Sequence, residues 1–126
     1  MRPRGRTVDA PSPREARARW IRALETAQAH AEAVLADQPI ERFAAADFAR
    51  DVLQARKAPF PLRHVSAGAA SSAFLTAAQA LIAADRPTKR RVLAEITAAA
   101  ARGVDQLLNE DRTAQAQAWK RQMPED

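Results

Sequence analysis

Residues 65–84, VSAGAASSAFLTAAQALIAA, form a run of twenty residues that contains no formal charge. Charged residues make up 28% of the whole chain, so this neutral run stands apart from its surroundings. A membrane-spanning helix needs about 20 predominantly apolar residues, so length alone would allow one here. However, serines, a threonine, a glutamine and a glycine interrupt the run and suit lipid poorly. The stretch therefore predicts a helix at the centre of a bundle, wrapped by its companions, and no membrane partner.

Three further helices are predicted around this one. Ser12 and Glu15 form a capping box, with a proline at the first helical position, and this first helix ends near residues 37–39. The second helix covers residues 41–57 and stops at the prolines that follow. After the break at Asp85-Arg86-Pro87, Thr88 is expected to cap the fourth. No segment shows a strand pattern, so the prediction is an all-α fold, a single helical bundle of about four helices.

The bundle is expected to occupy residues 12–122, between a disordered basic arm at residues 1–11 and a tail at residues 123–126. The 126 residues fit one domain. Because 32 of them are alanines, the core must depend on close backbone approach as well as on bulky side chains. The absence of cysteine excludes disulfides and thiolate sites. No signal peptide is recognisable, so a cytoplasmic location is expected.

Apolar spacing predicts which face of each helix is buried. The predicted stripes are Ala16, Trp20, Leu24, Ala27, Ala31, Val34 and Leu35; then Phe48, Val52 and Ala55; then Ala67, Ala70, Phe74, Ala77, Ala78 and Leu81; and finally Val92, Leu93, Ile96, Ala99, Ala100, Gly103 and Leu107. Phe43 and Leu53 fall outside the second stripe and predict contacts on two sides. Gly103 costs a helix about 1 kcal/mol relative to alanine, so another helix is expected to cross closely there.

No catalytic residue, cofactor or metal site is predicted, and the chain is expected not to be an enzyme. His30 and His64 lie far apart in sequence and have no partner at metal-ligand spacing. His30 is expected to be a partly exposed structural histidine, and His64 to hydrogen-bond nearby backbone. Asp47 and Asp51 share a helix face and could hold a cation, but the nearby Arg50 favours solvated charges instead.

Basic side chains cluster at the predicted start of the fourth helix. The residues are Arg86, Lys89, Arg90 and Arg91. Cations at a helix N-terminus oppose the helix dipole by about 0.3–1 kcal/mol each, so local stability does not require them. A phosphate group would meet both these side chains and the free backbone amides. The alternative is a solvated basic turn paired with Asp85 and Glu95.

A second basic cluster, Arg56, Lys57 and Arg63, flanks the proline loop. In an up-and-down bundle the two clusters would lie at opposite ends, which suits an elongated ligand. The net charge of +5 is carried entirely by the first 22 residues, because the remainder holds equal numbers of basic and acidic groups. The predicted partner is nucleic acid, contacted through its backbone.

Two resemblances support this interpretation. Residues 3–6, Pro-Arg-Gly-Arg, resemble the core of AT-hook segments, with Thr7 where the last proline would stand. In that comparison Arg2, Arg4 and Arg6 form a basic arm suited to a narrow DNA minor groove.

Ala55-Arg56-Lys57-Ala58-Pro59, followed by Gly68 and Ala73-Phe74-Leu75, is similar to a run in the small helical subunits of type III CRISPR effector complexes. The resemblance implies a non-catalytic subunit of an antiviral defence ribonucleoprotein. It would stack with copies of itself and hold guide or target RNA or DNA by backbone contacts, through Arg56, Lys57 and Arg63.

Two other functions remain open at the level of sequence. One is an adaptor or homo-oligomerising bundle with protein partners, for which Trp20 and Trp119 would serve as aromatic anchors. The other is a small DNA-binding protein that depends on its basic arm.

Overall fold

The computed structural model of the chain describes residues 10–122 and contains four α-helices within them. The helices are α1 (Pro13–Leu35), α2 (Arg42–Arg56), α3 (Val65–Ala83) and α4 (Pro87–Gln122). No strand occurs in the described part, so the predicted all-α bundle of four helices is confirmed. α4 is one continuous helix of 36 residues. Most of the predicted arm and the whole predicted tail lie outside the described residues.

Local signals define the helix ends. The Ser12 Oγ accepts the Glu15 N–H at 3.1 Å, and the Glu15 carboxylate accepts the Ser12 N–H at 2.9 Å, which completes the predicted capping box. These hydrogen bonds lower the pKa of Glu15. The predicted cap at Thr88 is wrong: α4 already begins at Pro87, and the Arg86 carbonyl accepts the Arg90 N–H at 2.8 Å. Proline at the first helical position explains this earlier start.

Sequence neighbours run antiparallel, giving an up-down-up-down bundle. Trp20 in α1 reaches Ala58, just after α2, whereas His30 stacks on Phe48 in the first half of α2. Across the other side of α1, Arg17 pairs with Asp111 of α4 at 3.0 Å. We call the end that holds the start of α1 and the α2–α3 loop the proximal end. The distal end holds the α1–α2 and α3–α4 loops.

The core is built around Trp20, which is 2% exposed. Its indole Nε1 donates to the Ala58 carbonyl at 3.1 Å. Its ring contacts Phe60 edge-on at a centroid distance of 4.9 Å and lies 6.2 Å from the ring of Phe74. Among the described residues, 13 of the 21 buried apolar side chains are alanines. Close approach between helices therefore supplies much of the packing, as the composition predicted.

The predicted central position of α3 is wrong. α3 makes its extensive contact with α4 and only a small contact with α2, and it occupies one corner of the bundle. Its predicted inner residues are buried apart from Ala70, which is half-buried, but its outer face is open. Val65 is 89% exposed and Ile82 is 41% exposed. α3 is also long and apolar enough to cross a membrane by length and composition, and a third of its apolar window is buried in the bundle.

The predicted inner face of α4 is mostly wrong: of its residues, Leu93 and Ala100 pack half-buried against the core, and the others do not. Its buried residues are Ala94, Thr97, Ala98, Ala101, Val104 and Leu108. Val92 and Ile96 are each 50% exposed, and a Cβ built on Gly103 would meet nothing within 4 Å. No helix of the described bundle crosses at this glycine. The helix thus presents its alanine-rich side to the core, together with Thr97, whose Oγ1 has no hydrogen-bond partner among residues 10–122.

The expectation that α2 makes contacts on two sides is wrong as well. Phe48, Val52 and Ala55 are buried as predicted. Phe43 is 79% exposed and Leu53 is 45% exposed, so neither joins a second buried face.

Candidate nucleic-acid interface

The predicted basic cluster at the start of α4 lies at the distal end, beside the α1–α2 loop. Arg86 and Lys89 are exposed, and neither forms an ion pair within residues 10–122. Arg91 lies 3.4 Å from the Asp37 carboxylate, measured from its Nη1. Because both side chains of this pair are exposed, it contributes only about 0–1 kcal/mol and is easily exchanged for another anion. The pairing with Asp85 and Glu95 that the alternative predicted is not found among the described contacts.

Arg90 has a different environment from its three neighbours. It is half-buried, and its Nη2 donates to the Ala84 carbonyl at 3.2 Å, which ties the end of α3 to the start of α4. The same guanidinium lies near His30. Arg90 therefore holds the distal end together, and a ligand would have to break an internal hydrogen bond to take its Nη2.

A pocket of about 430 Å³ opens between this cluster and the α1–α2 loop. Its lining residues are Val34, Asp37, Gln38, Ile40, Pro87, Thr88, Arg90 and Arg91. The first backbone amides of a helix have no partner inside it, and the first turn of α4 contains no acidic residue. The start of α4 and the side chains of Arg90 and Arg91 thus border one opening together with the Asp37 carboxylate, and a phosphate or carboxylate group bound there would displace the Arg91–Asp37 pair.

The second predicted cluster lies at the proximal end. Arg56 is in the last turn of α2, Lys57 follows it, and Arg63 precedes α3; all three are exposed and form no ion pair within the described part. Arg63 and Arg17 line one groove of about 230 Å³ beside the prolines of the α2–α3 loop. Arg17 is a residue that sequence reasoning did not assign to this surface. The concentration of positive charge in the first 22 residues was the available signal, but only the antiparallel packing of α1 and α2 joins it to Arg63.

The two clusters therefore lie at opposite ends, separated by the length of α3. Nineteen residues at 1.5 Å per residue make this helix about 28 Å long. One small ligand cannot reach both clusters, whereas an extended polyanion can.

The remaining candidate residues have structural environments. His64 caps α3, because its Nδ1 accepts the Ala67 N–H at 3.2 Å, which confirms the predicted local hydrogen bond. Arg50 lies 3.2 Å from the carboxylate of Asp47 and 3.4 Å from that of Asp51. Asp47 is exposed, but Asp51 is only 4% exposed, so the expectation that both charges are solvated is wrong for Asp51. Residues 10–122 contain no group of three or more potential metal ligands.

His30 is half-buried and stacks on Phe48 at a centroid distance of 4.5 Å. Burial, followed by the positive charge of Arg90, lowers the pKa of His30 below its ordinary value of 6.5. The folded chain therefore favours the neutral imidazole, and protonation favours the unfolded chain. The stability from this group is complete above pH 6.5 and is lost as the pH falls towards the lower folded-state pKa.

We expect the urea midpoint of unfolding to decrease between about pH 7.5 and pH 5.5, where histidines are the main side chains that titrate. His30→Gln should reduce this decrease, because glutamine carries no proton in this range. His64→Asn is the matched control, since asparagine can still cap α3. A pH dependence that survives in His30→Gln and disappears in His64→Asn would contradict this assignment.

The described residues thus define an all-α, up-and-down four-helix bundle with an exposed basic cluster at each end. Arg2, Arg4 and Arg6 of the predicted arm lie outside the described residues. No protein-family model, curated protein or solved structure matches the chain.

Proposed function

We propose that the chain is a non-catalytic nucleic-acid-binding protein that contacts phosphate groups of RNA or DNA through its two basic ends. The observation that carries the proposal is the exposure of Arg86 and Lys89 at the start of α4. Neither has an acidic partner in the described part, and the N–H groups of Thr88 and Lys89 in the same turn have no acceptor within the helix. A phosphate oxygen satisfies the side chains and the amides together.

The separation of the clusters supports a polymer over a mononucleotide. A span of about 28 Å corresponds to roughly eight base pairs of duplex or a comparable length of single strand. Backbone contacts of this kind position a strand and carry no base specificity. The protein would therefore bind many sequences with similar affinity and depend strongly on salt.

The resemblance to small CRISPR effector subunits supports RNA as the ligand and the cytoplasm as the location. Arg56 and Lys57 of the resembling run are exposed at the proximal end, where a strand could contact them. Phe74 of the same run is buried in the core. This residue of the run therefore contributes to the packing of the bundle and not to contact with nucleic acid.

The proposal predicts that Arg86→Gln/Lys89→Gln weakens binding to a fluorescein-labelled single-stranded RNA of about 20 nucleotides. Each lost phosphate contact costs about 1 kcal/mol in a solvated setting, so we expect roughly 30-fold weaker binding at low salt. The slope of log K against log salt should become shallower by about 1.4. Fluorescence anisotropy across a salt series measures both quantities.

Arg102→Gln/Arg112→Gln is the matched control, because it removes two exposed arginines of α4 that lie outside both clusters. It should change affinity by less than about threefold. Equal losses in the two double variants would mean that net charge and not this site governs binding, and no binding by the unmodified chain would end the proposal. Deletion of residues 1–9 tests the alternative of a DNA-binding protein that depends on its basic arm. Such a protein would lose its affinity for DNA entirely, whereas binding through the two basic ends would persist.

A protein-binding adaptor is the second candidate, and two exposed aromatic side chains favour it. Phe43 is 79% exposed and Trp119 is 63% exposed. Trp20 gives it no support, because the ring is buried in the core and its N–H is already bonded. Aromatic anchors of this kind are typical of protein interfaces. If this candidate is correct, Phe43→Ala/Trp119→Ala removes partner binding and leaves RNA affinity unchanged.

A further inference from the structure

The outer side of α4 carries a seam with the spacing of a coiled coil, and no other helix of the described bundle covers it. Seven exposed residues alternate at intervals of three and four: Lys89, Val92, Ile96, Ala99, Gly103, Gln106 and Glu110. At 100° per residue they fall within about 100° of the helix circumference, opposite the face that packs into the bundle. Two β-branched apolar side chains, Val92 and Ile96, thus lie half-exposed in the first half of a water-facing surface.

Gly103 is unexplained by the fold of one copy. A Cβ added at this position would meet nothing within 4 Å, and the backbone has no positive φ that would require glycine. Glycine inside a helix lowers its stability relative to alanine. Gly103 therefore lowers helix stability without a role within the bundle. Because it has no side chain, it allows another backbone or a bulky side chain to approach α4 from outside.

We propose that a second copy of this chain packs against the seam, with its α4 antiparallel to the first and related to it by a two-fold axis. In the register centred between Ala99 and Ala100, Ile96 of each copy lies opposite Gly103 of the other. The largest apolar side chain of the seam then faces its smallest residue, and this happens twice because the interface is isologous. The paired seams extend for about 33 Å, the length of residues 89–110.

The charged residues at the ends of the seam favour an antiparallel arrangement of the two α4 helices over a parallel one. In the same register Lys89 of each copy lies opposite Glu110 of the other, so both ends of the seam join opposite charges. A parallel pair would place Lys89 against Lys89 and Glu110 against Glu110, which is unfavourable. The Gln106 Nε2 donates to the Glu110 Oε2 at 3.2 Å and orients that carboxylate along the seam.

The dimer does not depend on the proposed nucleic-acid function. Lys89 belongs to both proposed surfaces, whereas Ile96 and Gly103 belong only to the seam and Arg86 only to the phosphate site. The two proposals fail separately because the Ile96 and Gly103 variants are read from mass, and Arg86→Gln alone is read from RNA anisotropy.

Sedimentation equilibrium of the nuclease-treated full chain tests the dimer over a range of concentrations. The unmodified chain should fit a monomer–dimer equilibrium, and Ile96→Glu should raise the dissociation constant at least about tenfold. Because Ile96 is half-exposed, circular dichroism should show an intact helical fold. Phe43→Glu is the matched control on an exposed apolar side chain away from the seam, and it should leave the equilibrium unchanged. A chain that stays monomeric throughout, or a dimer insensitive to Ile96→Glu, would overturn the proposal.

Glycine substitutions separate folding from association. Gly103→Ala and Gly68→Ala both remove a helical glycine that has open space around it, so each should raise the melting temperature of the fold by about 3–6 °C. Only Gly103→Ala should weaken the dimer, because Gly68 lies in α3. Equal dimer affinity in the two variants would contradict the placement of Ile96 over Gly103.

Charge reversal tests the direction. Lys89→Glu and Glu110→Lys should each weaken the dimer, and the double variant should recover most of the lost affinity. Since the chain has no cysteine, Lys89→Cys mixed with Glu110→Cys should form a disulfide-linked heterodimer, whereas either variant alone should not. Crosslinking of Lys89→Cys with itself would identify a parallel pair and overturn the antiparallel assignment.

Discussion

Trp20→Ala is expected to lower the free energy of unfolding by about 4 kcal/mol, a large part of the roughly 5–15 kcal/mol typical of a domain. The side chain is 2% exposed and contacts both Phe60 and Phe74, so its removal leaves a cavity where α1 meets the α2–α3 loop. The Ala58 carbonyl also loses its indole donor. In a core composed mainly of alanines, few neighbouring side chains are long enough to fill the space. Urea unfolding followed by far-ultraviolet circular dichroism measures the loss.

Trp119→Ala is the matched control, because the same substitution is made at a side chain that is 63% exposed. It should change the free energy of unfolding by no more than about 0.5 kcal/mol. Trp20→Phe should be intermediate, since phenylalanine keeps much of the ring contact but leaves the Ala58 carbonyl unpaired, at about 1–3 kcal/mol. Similar stability of Trp20→Ala and Trp119→Ala would contradict the central position of Trp20.

The helix ends could be predicted closely because they depend on local chemistry. A capping box, prolines and a histidine cap act within three or four residues of the boundary they set, and sequence displays such signals directly. Even the error at the start of α4 was local, since Pro87 and Thr88 offered two competing starts and proline took the first helical position.

The buried faces were harder to predict because alanine carries little information. α4 has two apolar sides, one with Val92 and Ile96 and one with Ala94, Ala98 and Ala101. Hydrophobicity alone favours the bulkier side for the core. The bundle instead buries the smaller side, because its helices approach closely. The abundance of alanine also explains the wrong prediction for α3. Its small residues fit a corner of the bundle as well as its centre.

The candidate site was predictable as a set of charges but not as a geometry. Sequence located both clusters, and up-and-down topology placed them at opposite ends. It could not distinguish Arg90, which is bonded to the Ala84 carbonyl, from Arg86 and Lys89, which are exposed. The sequence also could not predict that Arg17 and Arg63 line the same groove, because their proximity depends on how α1 packs beside the α2–α3 loop.

Ala101→Leu is expected to destabilise the bundle by about 3 kcal/mol through overpacking. Ala101 is fully buried on the inner face of α4, the helix that packs broadly against both α1 and α3. Two effects oppose each other at this position. Three added carbons would stabilise the fold by about 2 kcal/mol if space were present. If the helices are as close as the alanines indicate, the larger side chain must push α4 outward and separate contacts along its length.

The sign of the change therefore measures how closely the helices approach. Ala116→Leu is the matched control, because Ala116 is exposed on the same helix beyond the packed region, and leucine has nearly the helix propensity of alanine. It should be neutral within about 0.5 kcal/mol in the same urea experiment. A stabilised Ala101→Leu variant would mean that the core contains unfilled space, and the account of an alanine-packed bundle would then be wrong. Destabilisation confined to Ala101→Leu is the result expected if close helix contact, more than bulky side chains, holds α4 against α1 and α3.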